Sequence, residues 1–136
     1  MPMPNVVRPA AEWRDPRHRR GLAGELAAAK YLESLGWRIE AHRFRFGHHD
    51  LDLIARRGAL VAFVEVKTRS GVAFGTGAES IGWRKRQILG LVAGIWIARR
   101  GRPNDAYRFD VVEVSWPVGC FPQVLHIEDA WRGVGK

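Results

Sequence analysis

Residues 50–67 read Asp50-Leu51-Asp52-Leu53-Ile54-Ala55-Arg56-Arg57-Gly58-Ala59-Leu60-Val61-Ala62-Phe63-Val64-Glu65-Val66-Lys67. A two-residue Gly-X loop at Gly58-Ala59 suits a type II′ hairpin. It predicts one strand over Asp50–Arg57 and a second over Leu60–Lys67, with Arg57 opposite Leu60. Counting outward from that pair, Asp52 falls opposite Glu65, and Asp50 falls opposite Lys67. Directly opposed residues share a face, with Cβ atoms about 5 Å apart. A two-residue slip keeps these charges on that face; a one-residue slip does not.

Two facing carboxylates repel each other unless a cation lies between them or one is protonated. A divalent metal resolves the conflict, and Mg²⁺ takes one or two carboxylates together with water and substrate phosphate. Lys67 is then placed to orient an attacking water or to stabilise charge on a reacting phosphate. The plainer reading is a solvated strand face with a Lys67–Asp50 ion pair.

Outward from the hairpin, Asp15-Pro16 reads as an N-cap followed by proline at the first helical position. The helix runs to about Leu35, with Gly36 as its stop. Its apolar stripe is Leu22, Ala29 and Leu32. Residues 1–14 read as a mobile arm, and residues 15–130 as a single domain. Trp37–Arg45 is the strand before the hairpin, and residues 68–78 form a loop after it. A helix from about Glu79 to Arg100, closed by Gly101, precedes strands over Tyr107–Trp116 and Gln123–Glu128. The order is αβββαββ.

Charges also sit where apolar residues belong. Glu25 lies on the stripe of the first helix. Lys85 lies on the stripe Ile81, Ile88, Val92, Ile95 of the second, flanked by Arg84 and Arg86. A buried charge without a partner is costly, so these two point to a polar site where the helices meet the sheet. Each also has a simpler account: a salt bridge from Glu25 to Arg20 or Lys30, and snorkelling of Lys85 along apolar surface. Arg108 and Asp110 alternate onto one strand face and read as a structural ion pair.

The 136 residues, 46% hydrophobic and 26% charged, are those of a globular protein. The formal net charge of +8 favours polyanionic partners, nucleic acid first among them. A lone Cys120 excludes an internal disulfide and lacks zinc-finger neighbours. No signal-peptide h-region opens the chain. The most apolar run, Ile88–Ala98, is about half of the roughly 20 residues that span a bilayer. The expected location is cytoplasmic, with no membrane partner.

The ordered motifs resemble a known family. They are Gly24-Glu25 with Ala28 and Tyr31-Leu32, Asp50-Leu51-Asp52-Leu53-Ile54-Ala55, Phe63-Val64-Glu65-Val66-Lys67-Thr68-Arg69, Lys85-Arg86, and Arg108-Phe109-Asp110-Val111-Val112. The Asp…Glu-X-Lys pattern is similar to the PD-(D/E)xK nuclease superfamily, and the whole set resembles the YraN-like uncharacterised bacterial family within it. The resemblance implies an α/β fold: a restriction-endonuclease-like αβββαβ core, a mixed sheet flanked by helices, with an extra C-terminal strand. It implies metal binding by Asp52 and Glu65, a catalytic lysine at Lys67, and the helix carboxylate of the resolvase-like branch at Glu25. The family pattern carries glutamate where this chain has Asp50, and more glycine-like residues where it has His48-His49, which read as exposed loop residues.

The function expected is metal-dependent hydrolysis of DNA, branched DNA included, with Mg²⁺ or Mn²⁺ as cofactor. Arg69, Arg84, Lys85 and Arg86 are the expected nucleic-acid contacts, and Trp83 the tryptophan to test for base stacking. Homodimerisation is allowed. The alternative is a non-catalytic nucleic-acid-binding or assembly protein that keeps the nuclease fold.

Overall fold

The structure, a computed structural model, describes residues 19–69, 81–116 and 121–132. The expected arm, the Asp15-Pro16 helix start, most of the 68–78 loop and Cys120 lie outside the described residues.

Helix α1 (Arg19–Ser34) stops at Gly36, whose φ of 90° lies in the left-handed region that glycine enters without steric cost. The Trp37 N–H donates to the Leu32 carbonyl and the Gly36 N–H to that of Glu33, the two bonds of a Schellman motif. Trp37 and Leu32 then pack in one apolar cluster, which fixes where the chain enters the sheet. Buried Ala28, Ala29 and Leu32 form the helix's inner face, and Glu25 shares it.

Strands β1 (Arg38–Phe46), β2 (His49–Arg57) and β3 (Leu60–Arg69) follow as antiparallel neighbours. Gly58 has φ 63°, as the first central residue of a type II′ turn requires. The expected register holds: Arg57 pairs with Leu60, and the ladder runs out to Leu53 opposite Val64. Beyond that pair the two strands part. Residues 49–51 of β2 pair only with β1, and residues 65–69 of β3 only with strand β4 (Ala106–Ser115). The sheet is therefore forked at Asp52 and Glu65. Asp50 consequently lies opposite Arg45, not Lys67, and its carboxylate is 3.8 Å from the Arg45 guanidinium.

Helix α2 (Trp83–Arg100) carries the chain across so that β4 can join β3 in parallel. Ile81 and Gly82 are not helical, so the helix begins later than Glu79. Its buried stripe is Leu89, Val92, Ala93 and Trp96, rotated from the expected Ile88, Val92, Ile95. The large indole of Trp96 goes to the core, edge-on to Phe63 at 5.8 Å, and Ile88 and Ile95 move to the flanks. Lys85 stays on the stripe, one, two and three turns before Leu89, Val92 and Trp96.

Strand β5 (Gln123–Trp131) closes the order β1-β2-β3-β4-β5. It extends past the expected end at Glu128 and stacks Trp131 on Phe109 at 4.7 Å. Side chains from the two faces of the sheet fall into two apolar clusters. Ile54, Phe63, Val61 and Val111 pack with α2, while Leu53, Val64, Ala62 and Val112 pack with α1. The result is the expected αβββαβ order, a mixed sheet flanked by helices, with one added C-terminal strand. No helix among the described residues is long and apolar enough to cross a membrane.

Candidate active site

The fork brings the hairpin carboxylates together. Asp52 does not continue the ladder by backbone; its Oδ2 instead accepts the N–H of Val66 at 2.8 Å. Glu65 follows Val61 and Phe63 on the strand face that packs against α2, and it is 3% exposed. There its Oε2 lies 3.1 Å from the Lys85 ammonium. Its other oxygen, Oε1, is buried without a hydrogen-bond partner among the described residues. Two helix layers thus meet at one point of the sheet, with Lys85 reaching Glu65 from one side and α1 approaching from the other.

Burial and the neighbouring Glu65 charge push the Asp52 carboxyl up to about 8, against the pull of the Val66 N–H; the Glu25 charge adds to the rise and Lys85 opposes it. Burial also raises Glu65, while Lys85 and Lys67 hold it down. Each carboxyl is thus harder to ionise than a free one, and a cation beside the pair would lower that cost. Lys67 stands on the same strand as Glu65 and its charge reaches that carboxylate.

The Arg20 side chain lies outside the described residues; among those described, the partners of Glu25 are His42 and Arg43, not Lys30. Its Oε1 lies 2.5 Å from His42 Nε2 and 2.7 Å from Arg43 Nε, and Arg43 Nη2 donates to Oε2 at 3.3 Å. Burial works against ionisation here, but the bonds from His42 and Arg43 win and hold Glu25 below the usual carboxylate range. Arg43 achieves this geometry with φ 54°, which costs a non-glycine residue about 1 kcal/mol. Gly24 makes the approach of α1 feasible, because a Cβ there would run into the Thr68 hydroxyl. His42 and Arg43 were not legible in advance: the alternation of β1 is weak, and a positive φ at arginine leaves no sequence signal.

The basic residues separate into two groups. Arg84 is exposed on the first turn of α2, and Trp83 beside it is 72% exposed. Arg86 donates to the Ile81 carbonyl at 2.8 Å and lies over the Trp131 ring. Arg69 reaches the fully buried Glu113 at 3.2 Å. His48 and His49 are exposed. Arg108 and Asp110 form the expected ion pair, and His126 and the Asp129 N–H complete the shell of Asp110.

The donor set can be tested against a divalent ion. Among the described residues, no three of His, Cys, Asp or Glu are grouped to hold a metal. What the fork offers is a half-buried carboxylate, Asp52, beside a buried one, Glu65, which has an unpartnered oxygen. That fits Mg²⁺, which keeps most of its waters and needs one or two carboxylates. It does not fit a closed structural site.

Residues 24–114 match the model of the uncharacterised protein family UPF0102. The chain belongs to that family. This agrees with the YraN-like membership that its motifs imply. The UPF0102 protein of Nocardia farcinica is 43% identical over 108 residues, covering 79% of this chain and 85% of the relative. The UPF0102 protein of Symbiobacterium thermophilum is 46% identical over 97 residues, covering 71% and 82%. That of Alkaliphilus metalliredigens is 43% identical over 111 residues, covering 82% and 96%. The matched span of the UPF0102 model runs from Gly24 within α1 to Val114 near the end of β4, so it contains every carboxylate and lysine of the site. Among solved structures, SfsA of Pyrococcus furiosus in complex with Ca²⁺ aligns with a TM-score of 0.35 and 17% identity, over 84% of this chain. The chain spans 64% of the length of that protein.

Proposed function

We propose that the protein is a metal-dependent nuclease that hydrolyses phosphodiester bonds of DNA, branched DNA among its substrates. The observation that carries this reading is the pair of half-buried Asp52 and buried Glu65 at the fork of the sheet, with Glu65 Oε1 unpartnered. Asp52 and Glu65 would hold Mg²⁺ or Mn²⁺. Such an ion supplies Lewis acidity at the scissile phosphate.

The chain's own residues do the rest. The Val66 N–H fixes the rotamer of Asp52, so its free oxygen points in a defined direction. Lys67 orients the attacking water or stabilises the charge that builds on the phosphate oxygens as the new P–O bond forms and the old one breaks. Glu25, kept ionised by His42 and Arg43, is a positioning residue whose negative charge is felt at Asp52. Arg84, and Lys85 beside the site, contact backbone phosphates, with Arg69 and Arg86 ordering the surface around them. The +8 charge draws the polyanion in.

The test is cleavage of plasmid, single-stranded and four-way-junction DNA with Mg²⁺ or Mn²⁺. Asp52→Ala and Lys67→Ala are expected to lower the rate by at least about a hundredfold. No cleavage of any of the three substrates in either metal sinks the reading.

One observation favours the binding-only alternative: Lys85 already neutralises Glu65 at 3.1 Å, so the acidic pair has an internal partner. That alternative requires salt-dependent DNA binding that needs no metal and survives Asp52→Ala.

A further inference from the structure

Lys85 and a divalent ion would compete for the same oxygen atoms. The Lys85 ammonium is 3.1 Å from Glu65 Oε2, yet the two side chains differ sharply in access to water: that of Glu65 is 3% exposed and that of Lys85 is 50% exposed. A half-exposed lysine on a flexible stem leaves a contact at little cost, because water takes over its ammonium. Glu65 has no such escape. The pair is also incomplete, since Glu65 Oε1 has no partner. A purely structural ion pair at a buried carboxylate satisfies both oxygens, as Asp110 does here with Arg108, His126 and the Asp129 N–H. Nor does α2 offer Lys85 another anion, because the helix contains no acidic residue.

We propose that Lys85 is a resident counter-cation of the metal centre: it neutralises Glu65 while the centre is empty and must withdraw before a metal can enter. The proposal rests on the reading of Asp52 and Glu65 as metal ligands. Charge balance supports it. With both carboxyls ionised, as metal binding would require, Asp52 and Glu65 bring two negative charges, and Lys67 and Lys85 bring two positive ones. Glu25 cannot make up the difference, being committed to His42 and Arg43. A divalent ion added to an unchanged site leaves a local excess of two positive charges. Withdrawal of Lys85 toward water, or onto a substrate phosphate, removes part of that excess. Metal loading is therefore gated by one side chain on α2, and a bound phosphate favours it.

The experiment compares the full chain with Lys85→Met, Lys85→Gln and Lys85→Arg, all in one buffer at one pH. Mn²⁺ binding is read by electron paramagnetic resonance, and melting is followed by circular dichroism in EDTA. Lys85→Met keeps the apolar stem and Lys85→Gln is a second neutral variant, should one of them fold poorly. Both neutral variants are expected to bind Mn²⁺ roughly tenfold more tightly than the parent chain and to melt at lower temperature without metal. Lys85→Arg keeps the charge and stays near the parent in affinity. A parent chain that binds no measurable Mn²⁺ while Lys85→Met binds it also supports the gate. Equal or weaker Mn²⁺ affinity in the neutral variants overturns the gate and leaves the metal centre standing. No Mn²⁺ binding in any variant overturns both. None of these readouts depends on DNA cleavage.

Discussion

Asp52 accepts the backbone N–H of Val66 at 2.8 Å, so a side chain takes over where the β2–β3 ladder stops at Leu53 and Val64. The bond keeps an acidic group beside Glu65 in spite of their repulsion. The consequence is a measurable dependence of stability on pH. Asp52 is raised from 3.8 to about 8 by burial and by Glu65, so the folded chain binds more protons than the unfolded chain between those values. Stability must therefore fall as pH rises through that window. In EDTA the melting temperature is expected to drop from pH 5 to pH 8.5, and millimolar Mn²⁺ to recover part of the loss. A flat profile in EDTA would contradict this account of the site.

Asp52→Asn separates the two roles of that carboxyl. The amide oxygen still accepts from Val66, but the charge facing Glu65 is gone. The variant is expected to be at least as stable as the parent at pH 8, with a weaker pH dependence and no Mn²⁺ binding. Asp52→Ala also strands the Val66 N–H and should be less stable than Asp52→Asn by about 1 kcal/mol. Urea unfolding of the two variants at pH 8 checks the order.

Arg43 holds Glu25 from a left-handed backbone. Arg43→Ala loses the ion pair and keeps the strain, whereas Arg43→Gly loses the ion pair and relieves the strain. The glycine variant is expected to be the more stable of the two by about 1 kcal/mol. Equal stabilities, or the reverse order, would mean that the positive φ carries no cost here.

These residues show where sequence reading reaches and where it stops. The hairpin register was legible because a Gly-X turn fixes its own pairing, and everything up to Leu53 and Val64 followed. Asp50 was misplaced against Lys67 because the count assumed an unbroken ladder, and the parting of β2 from β3 at the fork is a property of the whole sheet. Glu25 and Lys85 were legible as charges on apolar stripes, since a 3.6-residue period exposes any misfit. Their partners were not: Lys85 finds Glu65 across the core, and Glu25 finds His42 and Arg43 on β1, the latter through a positive φ. The α2 stripe was read one residue out of phase because branched isoleucines were weighed above the larger Trp96.

At the other end of the sheet, Arg56 holds Asp105 through two bonds of 2.6 and 2.9 Å, with Glu40 on its Nε. Both side chains of the main pair are nearly inaccessible, and Arg56 draws the Asp105 carboxyl down to about 2. This pair joins the hairpin to the turn before β4 and is remote from the metal chemistry. Asp105→Ala leaves Arg56 buried with Glu40 as its anionic partner among the described residues and is expected to cost about 3 kcal/mol. DNA cleavage by the variant, measured well below its melting temperature, should be unchanged. Because the folded carboxyl lies below its unfolded value, the stability it adds is present above about pH 4 and lost as pH falls toward 2.

Two helical glycines give a last, paired prediction. Alanine in place of glycine within a helix normally stabilises by about 1 kcal/mol. A Cβ at Gly94 meets nothing within 4 Å, so Gly94→Ala should raise the melting temperature and leave the site untouched. A Cβ at Gly24 meets the Thr68 hydroxyl at less than contact distance and then Val66, the residue whose N–H holds Asp52. Gly24→Ala should therefore forfeit the propensity gain, push α1 away from β3, and weaken both Mn²⁺ binding and cleavage. Gly24→Ala combined with Thr68→Ala removes the obstructing hydroxyl and should recover most of both. If Gly24→Ala is as stabilising and as active as Gly94→Ala, then close contact of α1 with β3 is not what sets Glu25 beside the carboxylate pair.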